Sequence, residues 1–501
     1  MFKYTLRQIF KPFLEDIHVY INPIRRMFGP LPRPFIHFGR IGKWWRPYPF
    51  IMSGKYIRNH KHIIGLTGNG KSKLMADMAS QLIMQGKGVA VIDPHSDLST
   101  DILIYLFQAG FFKKKNAYKK FLYIDFGVQD KNRSSTHFVP FNILRQSVDK
   151  YVVARGVVEA MKRVWPYLRD NAPQFENILL YSLLVLIENK LPITQIDRLL
   201  TDQDYRMKLL DNVTDEKVVN FFLFRYDTWR FDQSVMREST LNKATLFTLP
   251  PALRYSLGHT DNILDFRSLI DEGISVVFDL GGLDEETQKL LGCLLSTGFE
   301  EAALSRDSIA DRTKRREYHL FLDEFDKFSA QSETSLAHIL AQTRKFNLYL
   351  TLAHQTISQT TEKLMGALQN SATFAFNLGH IDAPIMAPRF CDYDPYQIKH
   401  NVSDVQAQNV RHPLYFTPLE TREKWAQDLT SLWDRYMYVK INKRVWKLKT
   451  KTFPALNVGW NTIEKLKRTY ADLLMVRRET IELKTKKLEK KQVIQTGSRV
   501  G

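Results

Sequence analysis

Cysteine is nearly absent from this 501-residue chain: it has only Cys293 and Cys391, with neither paired nor metal-ligand spacing. That argues against a disulfide scaffold and a structural zinc site, and it fits a reducing compartment. Long hydrophobic runs are also missing. The longest strongly apolar stretch, Ile178 to Ile187, is about half of what a membrane-spanning helix needs, so a buried helix is expected there. Met1 to Phe13 offers neither a long apolar core nor a small-residue cleavage site, which argues against a secretory leader. Acidic residues are scarce relative to basic ones, with 53 Asp and Glu against 72 Lys and Arg and a formal net charge of +19. The excess favours an anionic partner, either nucleic acid or anionic lipid at a membrane surface, and its sign alone does not choose between them.

What the chain does have is an ordered set of strand-ending motifs. Gly65-Leu66-Thr67-Gly68-Asn69-Gly70-Lys71-Ser72 has the G-x-x-x-x-G-K-S spacing of a phosphate-binding loop. Gly68 and Gly70 allow a tight backbone turn, Lys71 can reach β- and γ-phosphates, and the Ser72 hydroxyl can join a Mg²⁺ shell. His62 to Gly65 reads as the end of a buried strand, and Lys73 to Met84 has a helical apolar period. The loop therefore sits where a helix N-terminus adds its dipole. Gly65, Thr67, Gly68, Asn69, Gly70, Lys71, Ser72 and Lys73 are the expected nucleotide contacts.

Further strands are expected at Gly88 to Asp93, Lys120 to Asp125, Gly273 to Asp279, Tyr318 to Asp323 and Phe346 to Ala353. The strand ending Asp323-Glu324 has the Walker-B form: Asp323 can hold the hydration shell of magnesium, and Glu324 can polarise the attacking water. Asp279 is a competing acidic strand end but has no adjacent Glu. Asp93, His95 and Asp97 suit arranging a nucleotide-site loop better than ligating a metal. Gln355, just past the last strand, can sense a γ-phosphate or orient water, with ordinary loop capping as the alternative; His354 has a structural reading beside a chemical one. Arg344 follows an expected helix at Ser335 to Gln342, where it can act as an arginine finger on a neighbouring subunit's nucleotide. A surface ion pair or nucleic-acid contact is the other reading.

The pattern turns helical between about 148 and 255, with Arg155, Lys162, Arg163 and Arg169 as phosphate-backbone candidates or solvated surface. Residues 20 to 60 mix Pro23, Pro30, Pro32, Pro34, Pro47 and Pro49 with aromatic and basic residues and read as an irregular adapter. There Trp44, Trp45 and Tyr48 either pack under a neighbour or stack on bases. Beyond Pro418 a helix is expected to about Tyr438, followed by strongly basic sequence whose Asn461 to Arg478 stretch has helical apolar spacing. That stretch suits partner docking, DNA contact or weak membrane contact.

Taken in order, Gly65 to Ser72, Asp93 to Leu98, Pro140 to Leu144, the helical insertion, Leu322 to Phe325, Thr343 to Lys345 and Ala353 to Gln355 resemble the HerA/FtsK-type DNA-pumping ATPases. The resemblance is closest to the cytosolic part of conjugative coupling proteins of the VirD4, TraG and TraD kind, over approximately residues 58 to 420. It implies an α/β fold with a RecA-like P-loop ATPase core, an inserted all-helical domain and helical terminal extensions. The corresponding division is a docking arm at 1–59, core at 60–145, insertion at 146–255, core at 256–420 and a basic helical extension at 421–501. It further implies ATP and Mg²⁺ as cofactors, a six-membered ring around single- or double-stranded DNA, Arg344 acting in trans and Gln355 as sensor. The catalytic set is then Lys71, Glu324, Gln355 and Arg344, with Ser72 and Asp323 at the metal, Asp323 through water. The expected activity is ATP hydrolysis coupled to DNA translocation in conjugation or mobile-element transfer, with a relaxase and a membrane secretion channel as partners. Coupling proteins usually carry N-terminal transmembrane helices and this sequence does not, so a cytoplasmic location, in solution or at the inner face of the membrane, is expected. A nucleotide-gated recruitment platform and a soluble HerA-like DNA-processing ATPase are the alternatives.

Overall fold

The computed structural model describes residues 34–42, 48–127, 137–165, 173–227, 231–329, 340–357, 362–391, 393–404, 410–452 and 458–484. Met1 to Phe13, Trp44, Trp45, Arg169, most of the helix expected at Ser335 to Gln342, and the tail after Lys484 lie outside them. The described strands, in chain order, are β1 (Phe35–Ile41), β2 (Tyr48–Ser53), β3 (Lys61–Ile64), β4 (Gly88–Asp93), β5 (Phe121–Asp125), β6 (His137–Phe138), β7 (Ser275–Asp279), β8 (Tyr318–Leu322), β9 (Leu348–His354), β10 (Ala372–Ala375), β11 (Ile398–Asp404), β12 (Val410–Tyr415), β13 (Tyr436–Ile441), β14 (Arg444–Thr450) and β15 (Val476–Arg477). The chain forms two compact units, Met1–Gln81 with Leu350–Ala455 and Leu82–Tyr349 with Leu456–Gly501.

In the first unit the strands lie in the order β2-β1-β14-β13-β10-β3-β9. β10, β3 and β9 are parallel, and β13, β14, β1 and β2 extend the sheet antiparallel. β3 and β9 are buried at every position, as continuous strands covered on both faces must be. The antiparallel part corrects two readings of the sequence. Within residues 20 to 60, taken as irregular adapter, Phe35–Ile41 and Tyr48–Ser53 pair antiparallel as β1 and β2, and Phe38 stacks on Phe374 at 5.2 Å while Phe50 packs on Trp446 at 5.5 Å. Pro49 is compatible because β2 is the end strand of this order, where a missing N–H is tolerated. Likewise, helix stops at Thr430 rather than near Tyr438, and β13 and β14 form a hairpin turning at Asn442, which takes a left-handed φ of 54°. The reading of 421–501 as a helical extension therefore does not hold for 436–450.

The second unit has the parallel order β8-β4-β7-β5. Every described element from Lys150 to Leu257 is helical. Asp149, Asp202 and Asp215 cap three of these helices by accepting from Tyr151, Tyr205 and Lys217 backbone N–H groups. The apolar run Ile178 to Ile187 lies in the helix Pro173–Glu188, with Ile178, Leu179, Leu183, Val185 and Leu186 buried. No single helix among the described residues is long and apolar enough to cross a membrane. Arg163, considered above for phosphate contact, is buried and donates to Glu300 at 2.7 Å, fastening the helix Lys150–Val164 to Glu285–Leu304. Removing either partner would strand a buried charge, so Arg163 is structural. The helix Trp460–Leu474 docks on β5, where the Tyr470 hydroxyl donates to Phe121 O at 2.8 Å.

The β1–β14 junction gives a direct check on the hairpin that the sequence reading missed. A Cβ at Gly39 would lie 2.0 Å from Lys449 O, a backbone atom that cannot swing away. Gly39→Ala should destabilise the protein by about 1–3 kcal/mol or more, measured by denaturant unfolding. An unchanged midpoint would contradict the pairing of β1 with β14.

Candidate functional site

The phosphate loop begins where β3 leaves the sheet. Gly65 is there for close packing: its backbone runs so near β10 that a Cβ would meet Phe376 Cβ at 2.6 Å, and Leu66 N donates to Asn377 O at 2.9 Å. Gly68 and Gly70 take φ values of 83° and 99°, the left-handed backbone that the turn requires. Lys71 opens the helix Lys71–Met84. Its side chain is buried and folds back over the loop, with Nζ donating to Gly65 O at 2.7 Å and Leu66 O at 3.1 Å. Asn69 ties the loop internally by donating to Leu66 O at 3.3 Å. Ser72 is half-buried on the first turn, while Thr67, Gly68 and Lys73 are exposed. The structure brings Gln355 to this loop: Thr67 Oγ1 donates to Gln355 Oε1 at 2.8 Å.

Beneath Gln355, His354 on β9 and His62 on β3 are stacked and buried, with their Nε2 atoms 2.6 Å apart. His354 Nδ1 lies 2.9 Å from Thr356 O and must donate to it, so its Nε2 accepts from the His62 Nε2–H. Both rings are then neutral. Burial supports this, holding His62 well below its usual pKa and bringing His354 down to about 4. His354 has the structural role left open in the sequence.

The acidic residues lie in the second unit. Asp323 follows the fully buried β8; it is itself buried and accepts from Glu324 N at 3.0 Å. Glu324 takes a φ of 45°, which a non-glycine residue adopts only at a cost. Its Oε2 lies 2.7 Å from His95 Nε2 and 2.6 Å from Lys327 Nζ. The His95 hydrogen bond first, and Lys327 after it, depress the Glu324 pKa to about 2. In return, the same hydrogen bond raises the pKa of His95. His95 thus reaches from the end of β4 to Glu324, a pairing that sequence spacing did not reveal.

Asp93, Asp279 and Asp125 stand side by side at the ends of the adjacent parallel strands β4, β7 and β5. Burial, reinforced by Asp279, pushes Asp93 and Asp125 up to about 7, because neighbouring buried carboxylates cannot all ionise freely. Asp93 accepts from the His95 and Ser99 backbone N–H groups, shaping the turn into the helix Asp97–Gln108. Asp279 accepts from Tyr123 Oη at 2.5 Å and Ser96 Oγ at 2.6 Å. Among the described residues no such group has the arrangement to hold a metal ion. Arg344 is exposed on the turn Thr343–Phe346.

Residues 48–145 match the family model described as helicase HerA, central domain. No curated protein matches the sequence. The bacterial conjugative coupling protein TrwBdeltaN70, in its unbound form, is 17% identical with a TM-score of 0.53, over 86% of this chain and 91% of its own. The plasmid coupling protein TrwB in complex with ADP and Mg²⁺ is 17% identical with a TM-score of 0.52, over 84% and 97%. VirB4 of Thermoanaerobacter pseudethanolicus is 13% identical with a TM-score of 0.50, over 85% and 99%. At these identities the structural likeness is one of fold. The stretch that carries the phosphate loop is thus similar to the HerA central domain, and the chain shares a RecA-like α/β fold with TrwB over most of both chains.

Proposed function

We propose that this protein is an ATP-driven DNA translocase, a coupling-protein-like motor that recruits and pumps DNA in conjugation or mobile-element transfer. The observation that carries the reading is the glycine-turned loop held to Gln355, in a chain with the fold of TrwB. In this reading Gly65 to Lys73 take the triphosphate, Lys71 leaves the loop carbonyls for the β- and γ-phosphates, and Gln355 senses the γ-phosphate. Ser72 and the buried carboxylate of Asp323 suit Mg²⁺, Asp323 through water; when bound, the ion neutralises phosphoryl charge. Glu324 polarises the attacking water. The net charge of +19 lets the protein hold successive phosphates without reading sequence, which a motor on arbitrary DNA needs. A homo-hexameric ring would retain the DNA, and an exposed Arg344 is available to complete a neighbour's site. A relaxase and a membrane secretion channel are the partners this role calls for.

Three variants divide the roles. Lys71→Ala should weaken ATP binding by about 2–3 kcal/mol, and Glu324→Gln should keep ATP affinity while lowering kcat by about 10²- to 10⁴-fold. Arg344→Ala should lose turnover alone and regain it when mixed with Lys71→Ala subunits, because mixed interfaces hold one intact site. Equal loss of ATP affinity in the first two, or full activity in the third, would overturn these assignments.

The His95 contact predicts a pH dependence. With the His95 pKa raised above 6.5 by its hydrogen bond to Glu324, its hold on Glu324 is complete below 6.5 and is lost as pH rises through the raised value. The Glu324 side of the pair is lost only as pH falls toward about 2. Losing one of two cations makes Glu324 a stronger base, so kcat should rise as pH climbs above 6.5 and passes through the raised His95 value. His95→Asn should flatten that rise; a profile identical to wild type would count against the contact.

A further inference from the structure

The edge of the sheet opposite the phosphate loop holds a cavity of its own. β3 and β10 run parallel and β13 runs antiparallel to β10, so the start of β10 and the end of β13 meet at that edge. The cavity has a volume of ≈ 560 Å³, and Gln369, Asn370, Ser371, Arg389, Lys440 and Asn442 supply its polar lining. Among the described residues that line it, none is acidic. Met365, Ile385, Met386 and Pro388 give it an apolar wall. The volume lies within the range of small-molecule sites, roughly 300–1,000 Å³.

Two cations converge on it. Arg389, near the end of the helix Asp382–Phe390, reaches the C-terminus of the helix Glu362–Leu368, where its Nη2 donates to Leu368 O at 2.5 Å and Ser371 O at 3.2 Å. Capping helix carbonyls with a cation is a structural role, and it accounts for one nitrogen. Every hydrogen bond from Arg389 to a described residue leaves from Nη2. No described carboxylate pairs with the guanidinium, and burial alone pulls its pKa down to about 10. Lys440, opposite Thr373 on β10, donates from Nζ to Arg389 O, which sets the ammonium beside the same segment. Further positive charge surrounds the opening. Exposed Lys443 and Arg444 follow Asn442, and exposed Arg58 precedes Asn59, whose Nδ2 donates to Asn370 O at 3.2 Å. Taking a cation out of water without a counter-charge is costly, and an anion seated in the cavity offsets that cost.

We infer that this cavity binds a phosphate group carried on an organic body, with Arg389 and Lys440 holding the phosphate, the Gln369, Asn370 and Asn442 amides at its edge, and the apolar wall taking the body. Two sources share that chemistry, a nucleotide within a nucleic-acid strand and a free sugar phosphate. The cavity lies at the opposite strand ends from Gly65 to Ser72, so the inference does not rest on the phosphate-loop reading. A strand seated here adds a fixed backbone contact to the translocase reading; a free sugar phosphate makes the cavity a separate small-molecule site.

Two probes on the full chain test the site and separate the sources: a labelled oligothymidylate followed by fluorescence anisotropy, and ribose 5-phosphate followed by calorimetry. Lys440→Gln removes a charge, and Asn442→Gly removes an amide while keeping the left-handed turn. Lys440→Gln should weaken the bound probe by about tenfold or more, and Asn442→Gly by about threefold. With a strand as the source, the oligonucleotide weakens and the slope of log affinity against log salt falls by about 0.7 in Lys440→Gln. With a free source, ribose 5-phosphate alone weakens. Either loss should persist in a Lys71→Ala background, which places the binding away from the phosphate loop. Folded variants that bind both probes as wild type does, a wild type that binds neither, or a loss that disappears in Lys71→Ala would overturn the inference. Each of those results leaves the ATP assignment to its own test, since ATP affinity is measured apart from both probes.

Discussion

Buried parallel strands have to stop somewhere, and where they stop the chain passes from apolar side chains to polar ones. β3 and β9 are buried along their whole length, and the residues that follow are Gly65 and Gln355. β4, β7 and β5 end in Asp93, Asp279 and Asp125, and β8 is followed by Asp323 and Glu324. In an open α/β sheet this carboxyl edge is where ligands bind. Within each unit the same constraint gathers the chemistry: the loop and Gln355 in one, the carboxylates and His95 in the other.

The two sets are held in different ways. Around the loop, backbone geometry does most of the work, through glycines at positive φ, a lysine folded onto carbonyls and a neutral histidine pair that joins β3 to β9. In the acidic set, electrostatics does it. Asp93 and Asp125 are pushed toward neutrality, whereas Glu324 is kept ionised by His95 and Lys327. A carboxylate with a pKa of about 2 is a weak base. The two cations that grip it, His95 and Lys327, are what hold it there.

Much of this was legible in the sequence because strand ends and glycine spacing are local signals. The strand ending at Asp93, the loop at Gly65 to Ser72 and the Asp323-Glu324 pair could be read from a few consecutive residues. The hairpins β1–β2 and β13–β14 were harder. Prolines mask the first, since Pro49 sits on an end strand where it does no harm, and charge masks the second. Yet Arg444 to Thr450 alternates exposed Lys447 and Lys449 with buried Trp446 and Leu448, a period-two signal that could have found β14. The pairing of His95 with Glu324 joins residues 229 apart in sequence by way of β4 and β8, and the burial of Arg163 depends on Glu300 in a distant helix. Neither leaves a trace in spacing.

The central claim is that nucleotide chemistry in this chain drives DNA. The measurement closest to it is ATP turnover by the purified full chain with no DNA, with single strands and with duplex, read beside strand movement on the same DNA. The account predicts that DNA raises turnover by about tenfold or more and that strand movement requires hydrolysis. Turnover that neither form of DNA changes, with no movement of either, would contradict it.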